Sequence, residues 1–241
     1  MFDREHHQRI AGLLTSLDKD LLLKNRCYFG GGTAIALRHG EYRESIDIDF
    51  LCSSVDGYRE MRQAVDENDQ GWLFKRPVII HRTVRVDQYG IRLLASLDEQ
   101  PVKIEIVFEG RISLNDPALE NTIEGVWALS DEDLVATKLM ANADRYADDA
   151  VMSRDLIDLA MMTPDGHLPL AATTKARTAY GTAIDQSLER AKTLTLDREG
   201  RLAKCMAAMR MTMDPQDLHH RIERLTLGDG LKPKTRPLKH R

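Results

Sequence analysis

A chain of 241 residues with 42% apolar and 30% charged side chains is long enough to bury a substantial core and has the composition of a soluble globular protein. Its 34 basic and 38 acidic residues give a formal charge of −4, which excludes a surface that is basic all over but not a local basic patch. No run approaches the roughly 18 apolar residues of a membrane span, no apolar stretch follows the N-terminus, and three widely spaced cysteines suit a reducing compartment. A cytoplasmic protein with no membrane attachment is expected.

In chain order, Ile10, Leu13, Leu14, Leu17 and Leu21 recur at three- and four-residue steps and predict one amphipathic helix. Residues 26–29 read as a short strand running into Gly30-Gly31-Gly32-Thr33, and residues 34–39 as one or two helical turns. Residues 44–52 alternate as a strand does, with Ile46, Ile48 and Phe50 on one side and Ser45, Asp47 and Asp49 on the other. A helix through Tyr58, Met61 and Val65 follows and ends at 68–71. Three β-rich runs come next, 78–86, 91–97 and 102–108, with 87–90 as the turn that pairs the first two antiparallel.

Past about residue 128 the pattern turns helical. Ser130-Asp131-Glu132-Asp133 has the form of a helix cap, with acids where the helix dipole favours them. Residues 163–169, holding two prolines and a glycine, separate two helical stretches, and Asp214-Pro215 opens another helix. Residues 228–241 are basic and rich in glycine and proline, and are expected to be largely disordered. The expected layout is an α/β (α+β) unit over 1–125, an all-helical unit over 126–227 and a tail over 228–241.

The chemistry is concentrated near the N-terminus. Glycines between a strand and a helix let backbone N–H groups approach an anion closely. Asp47 and Asp49, two apart on a strand, point the same way and are close enough to share a divalent cation, which relieves their mutual repulsion. A phosphate cradle beside a cation site is what binding a nucleoside triphosphate with magnesium requires. Glu105 is the one acid within the 102–108 strand and shares a face with Lys103, so it is the candidate third carboxylate of a two-metal site. No zinc-type His/Cys spacing, dinucleotide-binding glycine fingerprint or P-loop occurs.

Gly31-Gly32-Thr33-Ala34-Ile35-Ala36-Leu37-Arg38 followed by Arg43-x-Ser45-x-Asp47-x-Asp49-Phe50 resembles the signature of the AbiEii/AbiGii toxin family of nucleotidyltransferases. The likeness continues through Lys103-Ile104-Glu105, Ser130-x-Glu132-Asp133-Leu134, Lys138, Arg145 and Arg154-Asp155-x-x-Asp158-Leu159, and so spans about residues 28–160. Glu105 departs from the aspartate more usual at its position. The resemblance implies a polymerase-β-like mixed sheet flanked by helices, and two Mg²⁺ ions (Mn²⁺ possible) on Asp47, Asp49 and Glu105. It also implies a triphosphate, GTP being the suggested preference, held by Gly31, Gly32, Thr33, Ser45 and Arg145. Lys138 with Asp155 or Asp158 would close the cleft, although Lys138 reads equally as a cation at the edge of the core and the two aspartates as structural pairs. The implied acceptor is RNA, tRNA in particular, and the implied partner an antitoxin encoded nearby. A nucleotidyltransferase modifying a small molecule such as an antibiotic, or a nucleotide-binding regulator without catalysis, would use the same residues.

Overall fold

The computed structural model describes residues 2–67 and 71–228, so the expected disorder of the tail lies, from residue 229 on, outside the described residues. Helix α1 (Glu5–Ser16) is followed by α2 (Lys19–Lys24), strand β1 (Cys27–Gly30), α3 (Gly31–Arg38), β2 (Asp47–Cys52) and α4 (Val55–Glu67). Short strands β3 (Ile79–Ile80) and β4 (Arg85–Val86) precede β5 (Gly90–Ser96) and β6 (Val102–Phe108). A small hairpin, β7 (Thr122–Ile123) and β8 (Val126–Trp127), leads into the helices α5 (Asp131–Arg145), α6 (Arg154–Met162), α7 (Leu170–Tyr180), α8 (Ala183–Leu196), α9 (Arg201–Ala208) and α10 (Pro215–Arg224). Among the described residues no helix is long and apolar enough to cross a membrane.

The sheet is mixed, in the order β1-β2-β6-β5-β3, with β4 also paired to β5. Strand β2 runs antiparallel to β1 and parallel to β6, and β6 runs antiparallel to β5. Alternation does what the sequence requires: Ile48, Phe50, Ile104 and Ile106 are fully buried on one face, while Asp47, Asp49, Lys103 and Glu105 stand on the other. One continuous apolar core runs from Ile10 through the sheet and the helices to Leu225. The expected boundary between 125 and 126 falls inside the β7–β8 hairpin turn.

Three expectations are corrected. The first helix is two, because the chain at 73–75 pairs with residues 16–18: Asp18 N–H donates to the Leu73 carbonyl, Lys75 N–H to that of Ser16, and the Asp18 side chain then caps α2 by accepting from Leu21 N–H at 3.0 Å. The run 78–86 is not one strand but β3 and β4, both lying antiparallel along β5. Strand β2 begins at Asp47 rather than at residue 44, and Ile46 does not join Ile48 and Phe50 in the core but is 55% exposed. Glu44 N–H donates to the Met209 carbonyl, which draws the segment before β2 towards the end of α9.

Candidate active site

The turn from β1 into α3 places Gly31 at φ +66°, a left-handed conformation that favours glycine. A Cβ on Gly31 would lie 2.5 Å from Asp49 Oδ2, and one on Gly32 would collide with the Arg43 guanidinium. The bare backbone is therefore what lets a carboxylate and a guanidinium press against the start of α3, whose first N–H groups have no partner within the helix. Thr33 does not line the cavity in front of this turn. It is buried beneath it, its hydroxyl donating to the Asp47 carbonyl and sharing a hydrogen bond with the Ser45 hydroxyl at 2.8 Å, so its side chain ties α3 to the start of β2.

The cavity is about 540 Å³ and is lined by Gly31, Gly32, Ser45, Asp47, Asp49 and Glu105 on the sheet side. Lys138, Arg145 and Arg154 face it from the helical half, and Arg43, Lys103 and Arg210 complete a ring of cations. The structure thus brings together Asp47, Asp49, Glu105, Lys138, Arg145, Ser45 and the two glycines. Asp155 and Asp158 lie behind this lining.

Asp49 stands in register with Glu105 across the parallel β2–β6 pair. Burial, then the charges of Asp47 and Glu105, push its pKa up to about 6. A divalent cation would remove that penalty, which is how this carboxylate pair fits a metal. Glu105 is differently engaged: Arg92 Nε donates to its Oε1 at 2.8 Å and Lys103 Nζ to its Oε2. With its oxygens so held, no three carboxylate, His or Cys groups among the described residues converge on a single ion position.

Behind the cavity lies a buried charge network. Asp158, fully buried, accepts from Arg43 Nε at 2.7 Å, Arg43 Nη2 at 3.0 Å and Tyr42 OH at 2.6 Å, and pairs with Lys138 Nζ at 2.7 Å. Asp155 accepts from Lys138 Nζ at 2.9 Å and from Arg145 Nε and Nη2 at 2.7 and 2.9 Å. Burial opposes the charge on Asp155, but Lys138 and Arg145 outweigh it and hold the carboxyl well below the usual range. The two aspartates therefore fix three cations at the rim of the cavity, and Asp158 pairs with Arg43 and Lys138 rather than with Arg154 on its own helix. Arg154 lines the cavity with no ion-pair or hydrogen-bond partner among the described residues.

Arg43 was visible in the sequence only as part of the Arg43-x-Ser45 motif, and its depth in the site depends on a partner far along the chain. The segment that carries it is braced from α1. His7, fully buried, accepts from Ser45 N–H at Nε2 (3.1 Å) and faces Glu41 Oε1 at Nδ1 (2.7 Å), while the His6 ring meets the Ile46 carbonyl at 3.0 Å. Nothing local in His6-His7 signalled this role.

The site thus sets a glycine turn and paired carboxylates inside a ring of cations, on a mixed sheet backed by helices. The family model for the nucleotidyl transferase AbiEii toxin, Type IV TA system, matches residues 13–231, and the chain belongs to that family. It is accordingly a nucleotidyltransferase, the toxin component of a toxin–antitoxin system, and family membership implies a nucleotide substrate and an antitoxin partner. Two solved structures share the fold. One, a candidate nucleotidyltransferase from H. pylori, is 15% identical with a TM-score of 0.50, covering 90% of this chain and 92% of its own. The other, JHP933 from Helicobacter pylori, is 16% identical with a TM-score of 0.52, covering 92% of each chain. No curated protein matches the sequence.

Proposed function

We propose that this protein transfers a nucleotide from a nucleoside triphosphate to a hydroxyl of RNA in the cytoplasm, in a cell that encodes its antitoxin nearby. The observation that carries this reading is the Asp47–Asp49 pair set against the Gly31–Gly32 turn, with Asp49 strained by burial and by its neighbours' charge. Asp47 and Asp49 would hold magnesium or manganese, with Glu105 as the third ligand once its oxygens turn from Arg92 and Lys103. A bound divalent cation neutralises the triphosphate and lowers the cost of charge building up at the α-phosphorus.

The chain's own groups supply the rest. N–H groups at the start of α3 and the Ser45 hydroxyl hold the β- and γ-phosphates, and Lys138 and Arg145, fixed by Asp155 and Asp158, stabilise the departing pyrophosphate. The acceptor oxygen bonds to the α-phosphorus as the α–β anhydride bond breaks, and its proton passes to a site carboxylate, for which Glu105 is the candidate. GTP is the triphosphate suggested by the family resemblance.

Six cations and four acids line the cavity, which favours an anionic acceptor over a cationic small molecule such as an aminoglycoside. The test is incubation with each α-labelled triphosphate and either total cellular RNA or an aminoglycoside, in magnesium. Labelled RNA from one preferred triphosphate is expected. Labelled aminoglycoside with unlabelled RNA would overturn the acceptor assignment.

A further inference from the structure

A single row of the sheet continues outward from the site. Gly30 pairs with Asp49, Asp49 with Glu105, Glu105 with Arg92, and Arg92 with Arg85, so these residues stand side by side on the face that carries the carboxylates. With strands about 4.8 Å apart, Arg85 lies roughly 14 Å from Asp49 along this row. Beside it lies a small groove of about 120 Å³ lined by Arg82, Thr83, Arg85, Arg92 and Lys103 with Leu93 and Leu94. Lys103 lines both this groove and the main cavity, so the two are neighbours across that side chain.

The charge of the groove is neutralised only in part. Arg92 divides its guanidinium between Asp87, at 2.8 Å, and Glu105, and Lys103 pairs with Glu105. The Arg82 and Arg85 guanidiniums have no ion-pair or hydrogen-bond partner among the described residues. Four cations on one strip, in a chain of net charge −4, are a local accumulation. Cationic edge strands also guard a sheet against pairing with another chain. That role does not require the charges to line a groove that shares Lys103 with the main cavity and to stand in one row with Asp49 and Glu105, as Arg85 and Arg92 do.

We propose that this groove is the entry track for a single strand of RNA, its phosphodiesters lying along Arg82, Arg85, Arg92 and Lys103 and its terminal hydroxyl reaching the cavity at Asp49. The track rests on the RNA reading given above. It places the acceptor over the β4–β5 edge and leaves the Lys138 and Arg145 side to the triphosphate.

The test is the double variant Arg82→Ser/Arg85→Ser, both positions exposed and outside the catalytic machinery. Binding of a short fluorescein-labelled single-stranded RNA is followed by anisotropy across a salt series, and the melting-temperature shift caused by triphosphate with magnesium is measured on the same protein. The track requires RNA affinity to fall at least about tenfold and the log–log salt slope to flatten by about 1.4, as expected for two lost phosphate contacts to a single strand. The triphosphate shift should stay at the wild-type value, which also shows that the variant is folded. Unchanged RNA affinity and slope would overturn the track, and continued labelling of RNA by that variant would leave the RNA reading standing. If wild-type protein neither binds nor labels RNA, the track and the RNA reading both fail.

Discussion

Asp49 is held between burial and two like charges, and the consequence can be measured in the metal-free protein. Its folded pKa of about 6 lies above the ordinary carboxylate value of 3.8, so the native state retains this proton more tightly than the unfolded chain does. Ionisation therefore costs native stability as the pH rises from about 4 through 6, and the cost is fully present above that window. In excess chelator near pH 7.5, Asp49→Asn should unfold later than wild type by on the order of 1–2 kcal/mol, with the difference closing below about pH 4. Magnesium should narrow or reverse that order by stabilising wild type more than the variant. Equal urea midpoints in chelator at the higher pH would mean that the neighbouring carboxylates do not strain Asp49. This residue could be read from sequence because strand alternation alone puts Asp47 and Asp49 on one face. Thr33 could not be read so easily: its place beneath the turn depends on Ser45 and the Asp47 carbonyl, which only the folded chain brings to it.

At the scale of elements, the segment between α3 and β2 is held from two sides, and each brace can be broken separately. On the α6 side, the fully buried Asp158 carries Arg43, Lys138 and Tyr42 in one cluster. Asp158→Ala leaves the buried Arg43 without its carboxylate partner and Lys138 with Asp155 alone, and should cost about 3–5 kcal/mol in urea unfolding. A loss below about 1 kcal/mol would show that water or other groups already satisfy them. On the α1 side, burial holds the His7 pKa below 6.5, with Arg4 and His6 adding to that effect and Glu41 opposing it. A histidine lowered in this way contributes stability that is fully present above pH 6.5 and lost as the pH falls through its folded pKa. The stability advantage of wild type over His7→Gln should therefore shrink between about pH 7 and pH 5, as protonation removes the acceptor for Ser45 N–H. A constant difference across that range would contradict the brace. Elements whose signals are local were legible: β6 falls at its expected bounds, Ser130 caps α5, and Asp214 caps α10 ahead of Pro215. The break after Ser16 and the β7–β8 hairpin were not. The first is imposed by the chain at 73–75, and the second has strands of two residues, too short to show a period.

Across the whole molecule, the sheet supplies the acids and the glycine turn while the helical half supplies Lys138, Arg145 and Arg154, and one core joins them. The family and the α/β-then-helical order could be read from the chain because the motifs are contiguous. The ring of cations could not, since Arg43 and Asp158 are 115 residues apart and the row from Asp49 to Arg85 crosses four strands. If Asp47 and Asp49 drive nucleotide transfer to RNA, as proposed, pyrophosphate release on adding RNA to enzyme, magnesium and the preferred triphosphate reports it most directly. Wild type should release pyrophosphate in step with RNA labelling, and Asp47→Asn, folded by its melting curve, should be slower by at least about a hundredfold. Release by Asp47→Asn at the wild-type rate would contradict the account.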